Sequence, residues 1–127
     1  MACASVSPGM HRQEERPVSN LDVMRHVAPA VAAICQGIAE RDFARIKAQL
    51  APDAHWSIVG RPDRFQFGGT KPGGPFVDDM EASLTPFSEF SFEVIACAQS
   101  GDTVFVEAMA RGIVPPAARY SNRYLMR

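Results

Sequence analysis

The stretch Ala39 to Gly60, AERDFARIKAQLAPDAHWSIVG, restricts this chain more than any other. A helix ends within it, a short second helix follows, and a Pro-Asp turn leads directly into an apolar strand with the only Trp. Asp42 is placed to cap the short helix, Phe43, Ile46 and Leu50 make its buried face, and Pro52 stops it. In AHWSIVG, alternation sets Trp56 and Ile58 on one side and His55, Ser57 and Val59 on the other. Helix, helix, turn and Trp-bearing strand, in that order, suit a sheet curled around helices with a cavity between them. A cavity walled by Trp and branched aliphatics takes something small and mostly apolar.

The flanking segments extend that pattern. Residues 1–19 mix small residues, prolines and the charged patch HRQEER without periodicity, as a disordered or mobile tail does. Asn20 or Asp22 can cap a helix through LDVMRHV, which Pro29 must kink or restart. Val27, Val31, Ile34 and Ile38 then form one apolar stripe. The segment 60–75 is rich in Gly and Pro around Phe65 and Phe67 and reads as a loop, with room for a short strand at 64–67. Gly74-Pro75 opens a third helix with Met80, Leu84 and Phe87 inward, and Pro86 ends it. Strands Phe90–Gln99 and Thr103–Arg111 are joined by a tight turn, and RYSNRYLMR makes the last strand. Helices first and antiparallel strands last give an α+β domain.

At 127 residues there is room for one core. The net charge of −1 comes from scattered charges, so no basic stripe is present to hold nucleic acid. No apolar run approaches the ~18 residues that cross a bilayer, and the opening MACASVSPGM is too short in apolar residues for a signal peptide. The three cysteines, Cys3, Cys35 and Cys97, form no CxxC, and no pair of the three histidines has ligand spacing. They read as reduced thiols of a cytoplasmic protein, without metal and without an implied cofactor.

The segments ERDFARIKAQLAPDAHW, FQFGG, GPFVDDM, SGDTVFVEAMARG and YSNRY, in that order over roughly residues 24–127, resemble the nuclear-transport-factor-2-like superfamily, in its SnoaL-like and ketosteroid-isomerase-related branch. The resemblance implies a cone-shaped, curved antiparallel sheet wrapped around N-terminal helices, with an internal pocket, and a homodimer. It implies a single domain over 20–127, apparently lacking the usual last strand. The family holds isomerases, cyclases, dehydratases, an epoxide hydrolase and non-catalytic binding or scaffold domains, so fold alone leaves function open.

Ketosteroid isomerase needs a carboxylate base and an oxyanion hole built from a Tyr and a protonated Asp. Carried over by position, these fall at Ile58, Ile34 and Tyr124. Aliphatic side chains at two of the three positions can neither accept a proton nor donate a hydrogen bond. What remains is a half-site. Tyr120, Asn122 and Tyr124 alternate on the last strand and share a face, where two phenols and an amide can meet a carbonyl or hydroxyl. Trp56, Ile58 and Ile34 complete the expected ligand-binding set. Glu107 and Arg111 alternate away from Val104, Val106, Ala108 and Ala110 and belong on a solvated face or a dimer interface.

The sequence thus points to a SnoaL-like protein that binds a small apolar molecule bearing a carbonyl or hydroxyl, with catalysis unresolved. Two alternatives stay open. A cofactor-independent isomerase, cyclase or hydrolyase-type enzyme needs an inward carboxylate or His, such as Asp63 or His55. A non-catalytic dimeric scaffold needs the cavity plugged by Trp56, Phe67 and Phe87.

Overall fold

Pro29 decides how the N-terminal helices divide. In the computed structural model, which describes residues 20–61, 63–64 and 67–127, α1 runs Asn20–Val27 and α2 Pro29–Glu40. Pro29 stands at the first turn of α2, where its missing amide costs nothing. Helix α2 ends on Arg41 in the left-handed conformation (φ 55), with the Arg41 amide donating to the Gly37 and Ile38 carbonyls. The Arg41 guanidinium then donates to the carbonyls of Leu84 (3.1 Å) and Phe87 (2.7 Å), tying this corner to the far end of the next long helix. Asp42 caps α3 (Phe43–Ala48), accepting from the Arg45 amide at 3.1 Å. Gly37 allows α3 to lie close, since a Cβ there would sit 2.7 Å from Ile46 Cγ1.

Strand β1 (His55–Ile58) pairs antiparallel with β2 (Gly69–Pro72), and β2 feeds directly into α4 (Gly73–Leu84). A short strand thus lies at 69–72, and the one expected at 64–67 falls partly on residues outside the described ones. Phe65 and Gln66 fall outside the described residues, as does the expected tail of residues 1–19.

The remainder is an antiparallel meander of β3 (Glu89–Ser100), β4 (Thr103–Val114) and β5 (Ala118–Met126), in the order β3-β4-β5. Gly101 at φ 57 makes the tight β3–β4 turn possible. Register slips between Val94 and Ala96, the mark of a bulge. Asn20 Nδ2 donates to the Val94 and Ile95 carbonyls there. Asn20 thus anchors α1 to the bulge through its side chain, a use that a capping argument does not foresee. The helices precede a curved antiparallel sheet, as expected, but the two sheets share no ladder among the described residues, so the cone is not closed.

Two core clusters result. One joins Met24, Ala32 and Cys35 of the first two helices to Cys97, Val106 and Ala108 of the sheet. The other centres on Ile38, Ile46 and Val77, with Ile34, Trp56, Met80, Phe90 and Phe92 packed around it. Of the inward stripes expected from sequence, Ile38 and Val106 are buried. Val27, Val31, Ile34, Trp56, Ile58, Met80, Leu84, Phe92, Val94 and Val104 are half-buried. A sheet that does not close leaves the edges of its inner face wet, and this is the physical reason.

Candidate functional site

Three register rows define the inner face of the meander. Phe90, Gly112 and Tyr120 are aligned, then Phe92, Ala110 and Asn122, then Val94, Ala108 and Tyr124. The central strand contributes only small side chains, so the face is a trough in outline, with Ala108 and Ala110 buried and Ala108 packed in one cluster with Met24, Ala32 and Cys35 of the helices. Its floor is Ala108, Ala110 and Gly112, one wall is Phe90, Phe92 and Val94, and the other is Tyr120, Asn122 and Tyr124. Gly112 is required there, because a Cβ would meet the Phe87 ring and lie 2.7 Å from the Glu89 carbonyl oxygen. Phe87 instead lies over the glycine and packs edge-on to Phe90 and Tyr120, each at a 5.5 Å centroid distance.

The Tyr wall is bound to itself. The hydroxyls of Tyr120 and Tyr124 are hydrogen-bonded to each other. Four residues of strand span about 13 Å, so both rings must lean together over Asn122. Burial pushes the Tyr124 phenol up to about 12; the Tyr120 hydroxyl bond adds to this and the Asn122 side chain opposes it. Tyr124 therefore stays protonated near neutral pH. In the mutual bond one hydroxyl donates and the other accepts, which leaves one O–H free to donate outward. The Asn122 carbonyl oxygen accepts from the Arg123 amide at 3.0 Å, so the amide nitrogen is the end that can donate. The wall is a neutral donor surface, suited to an acceptor oxygen.

The other expected ligand residues lie elsewhere on the inner side. Trp56 stacks flat on Phe76, at 4.7 Å and 10°, and both Trp56 and Ile34 pack on the Ile38, Ile46 and Val77 cluster. Ile58 is half-buried on the Trp56 face of β1. The link to the Tyr wall is Phe92, which packs against both core clusters and approaches Tyr124 at 6.4 Å. Phe90 and Phe76 were not foreseen in these roles, although the alternation of Phe90 with the inward Phe92 in EFSFEV carried the signal for the first.

No acid or imidazole joins the trough from the places an enzyme reading required. His55 is exposed, with Nδ1 2.8 Å from the Asp53 carbonyl oxygen. Asp63 is exposed and paired with Arg61 at 2.7 Å. Glu107 and Arg111 lie on the outer face, where Glu107 meets Arg123 at 3.3 Å. Among the described residues no group of three or more His, Cys, Asp or Glu is placed to hold a metal, and no helix is long and apolar enough to cross a membrane. Cys35 is a free thiol, pushed up to about 11 by burial. Cys97 is disulfide-bonded, which corrects the expectation of reduced cysteines and removes the support they gave to a cytoplasmic address.

Among the clefts that indent the described surface are two open ones. One, of about 280 Å³, lies between Phe67, Lys71, Asp79, Ala82 and Ser83. The other, of about 410 Å³, lies across the end of the meander. Trp56, Ile58 and Ile34 line neither.

Helices followed by a curved antiparallel meander define an α+β protein of the nuclear-transport-factor-2-like superfamily. Within it the chain belongs to the SnoaL-like domain family, which matches residues 31–127. Two solved structures are similar. One is TerC co-crystallised with polyporic acid, at 21% identity and a TM-score of 0.63, covering 78% of this chain and 80% of that one. The other is an NTF2-like protein of unknown function from Burkholderia pseudomallei K96243, at 21% identity and a TM-score of 0.62, covering 76% of this chain and 75% of that one. Likeness at this identity establishes the fold alone. No curated protein matches the chain.

Proposed function

We propose that the trough binds a small, mostly apolar molecule through a carbonyl or hydroxyl oxygen, with Tyr120, Asn122 and Tyr124 as its polar wall. The observation that carries this is the pair of phenols bonded to each other above a floor of Ala108, Ala110 and Gly112. Neutral donors with one proton to spare, set beside aromatic rings, match an acceptor oxygen on an apolar body. That TerC was co-crystallised with polyporic acid lends the reading support from a protein of the same fold. The proposal includes Trp56, Ile58 and Ile34 as the apolar far end, and a homodimer. It includes no cofactor.

A cofactor-independent isomerase, cyclase or hydrolyase-type activity is the second reading, and the donor wall is its support, since neutral donors stabilise a developing oxyanion. A dimeric scaffold is the third, favoured by Phe87 lying on Gly112 and Trp56 on Phe76, which fill space a ligand would use. Binding of acetophenone and polyporic acid, followed through the ring signals of the two tyrosines, separates these readings. Saturable shifts at both rings support a ligand site. Rings that respond to neither probe in a protein that stays dimeric favour the scaffold.

A further inference from the structure

The outer face of the meander carries polar groups that the trough does not use. Register aligns Glu89, Ile113 and Arg119 in one row, and Ser91, Arg111 and Ser121 in the row two residues on. Between them lies the row of Phe90, Gly112 and Tyr120, whose side chains belong to the opposite face. The open cleft of about 410 Å³ is lined by these three rows, so its floor is strand backbone and its rims are the two polar rows.

Among the described residues, the two cations on those rims stand together without a carboxylate partner. Most other cations in the described structure pair with a carboxylate: Arg25 with Asp22, Arg45 with Glu40, Lys47 with Asp78, Arg61 with Asp63, Lys71 with Asp79 and Arg123 with Glu107. Arg111 and Arg119 have none among the described residues. They are diagonal neighbours on adjacent strands, about 7–8 Å apart at the backbone, and long side chains cross that gap easily. Two guanidinium groups held near each other repel, and a shared anion converts the repulsion into attraction. Each presents a planar fork of donors that fits a carboxylate or phosphate in a bidentate manner. Ser91 and Ser121, flanking Arg111 in register, add hydroxyl donors at the same level. Glu89 stands two strands from Arg119, about 10 Å away, across the apolar Ile113. A second negative charge at that end would be repelled, which selects against polyanions.

We propose that this outer cleft is an oxyanion site separate from the trough. It takes a small molecule with one carboxylate or phosphate head between Arg111 and Arg119, and a neutral or cationic body over Ile113 toward Glu89. The test is a titration of the full chain with inorganic phosphate and, separately, acetate, at ionic strength held constant with sodium chloride. The readout is the side-chain Nε–H signals of Arg111 and Arg119 by NMR. The site predicts saturable shifts of both signals with at least one probe, and the probe that saturates at lower concentration identifies the head group. Arg111→Gln should weaken that binding about tenfold, the size of one lost charge-assisted pair. Arg111→Lys, which keeps the charge and loses the fork, should also weaken it, by a smaller factor. Both residues are exposed, so neither variant threatens the fold. Shifts that drift without saturation, as chloride alone would produce, overturn the proposal. So does saturable binding undiminished in the Arg111→Gln, Arg119→Gln double variant, or a cleft silent to both probes because a second copy covers it in sedimentation.

Discussion

The two sides of the inner face use aromatic residues in opposite ways. Around Ile46, which is fully buried, Trp56 lies flat on Phe76 within a cluster of apolar side chains. Along β5 the rings of Tyr120 and Tyr124 are half-buried and end in hydroxyls whose partners are each other. The first arrangement offers cohesion and an apolar surface, with no hydrogen-bonding group on its rings beyond the indole. The second retains hydrogen-bonding capacity in a partly dry place, which is costly unless the groups are paired. The lesson is that one side of this fold supplies cohesion and apolar contact, while polar recognition is concentrated on the other.

The comparison breaks most visibly at the packed side. Ile46→Ala should cost about 2–5 kcal/mol, since it empties a fully enclosed site between α2, α3 and α4. Urea unfolding measures it, and a loss under about 1 kcal/mol would mean the cluster is plastic and the contrast with β5 is overstated. Gly112→Ala comes next, at about 1–3 kcal/mol, because the new methyl must displace Phe87 or push the Glu89 carbonyl. A neutral outcome would show that Phe87 does not rest on the sheet in solution.

Alkaline pH sharpens the other half of the comparison. Tyr124 is pushed from 10.0 up to about 12, so between those values the folded chain holds a proton that the unfolded chain has released. Stability contributed by the neutral phenol is complete below pH 10.0 and is lost as pH rises toward about 12. Tyrosinate absorbance should show one late-titrating phenol. In Tyr120→Phe the remaining Tyr124 should titrate earlier than before yet stay above 10.0, because burial is the larger cause. A return to 10.0 would assign the whole effect to the hydroxyl pair.

Catalysis of the ketosteroid-isomerase kind should be absent, since Ile58 and Ile34 supply neither base nor donor, and a well-placed acid–base group gives roughly 10²–10⁴-fold. Turnover of a β,γ-unsaturated ketone by the purified chain would contradict this.

What was legible in the sequence was mostly local chemistry. Asp42 as a cap, Pro29 as a helix start and Gly101 in the turn are dictated by single residues, and each stands where its chemistry requires. The shared face of Tyr120, Asn122 and Tyr124 follows from a period of two, and so does the outward placement of Glu107 and Arg111. Tertiary placements were harder. Strand β2, GTKP, has no apolar alternation and is a strand because β1 pairs with it. Helix α4 buries Phe76 and Val77 more deeply than Met80 and Leu84, since its first turn meets the core and Trp56. The leaning of two tyrosines over Asn122 depends on the Ala-Ala-Gly floor of the neighbouring strand, which no reading of β5 alone contains.

The most direct measurement is paired binding and unfolding of Tyr124→Phe. The ring remains and one hydroxyl is lost, so affinity for acetophenone or polyporic acid should fall by about 0.5–1.5 kcal/mol while the unfolding midpoint in urea stays close to that of the parent chain. If affinity is unchanged for both probes and the midpoint falls markedly, the hydroxyl is a strut and the β5 wall is not a recognition surface.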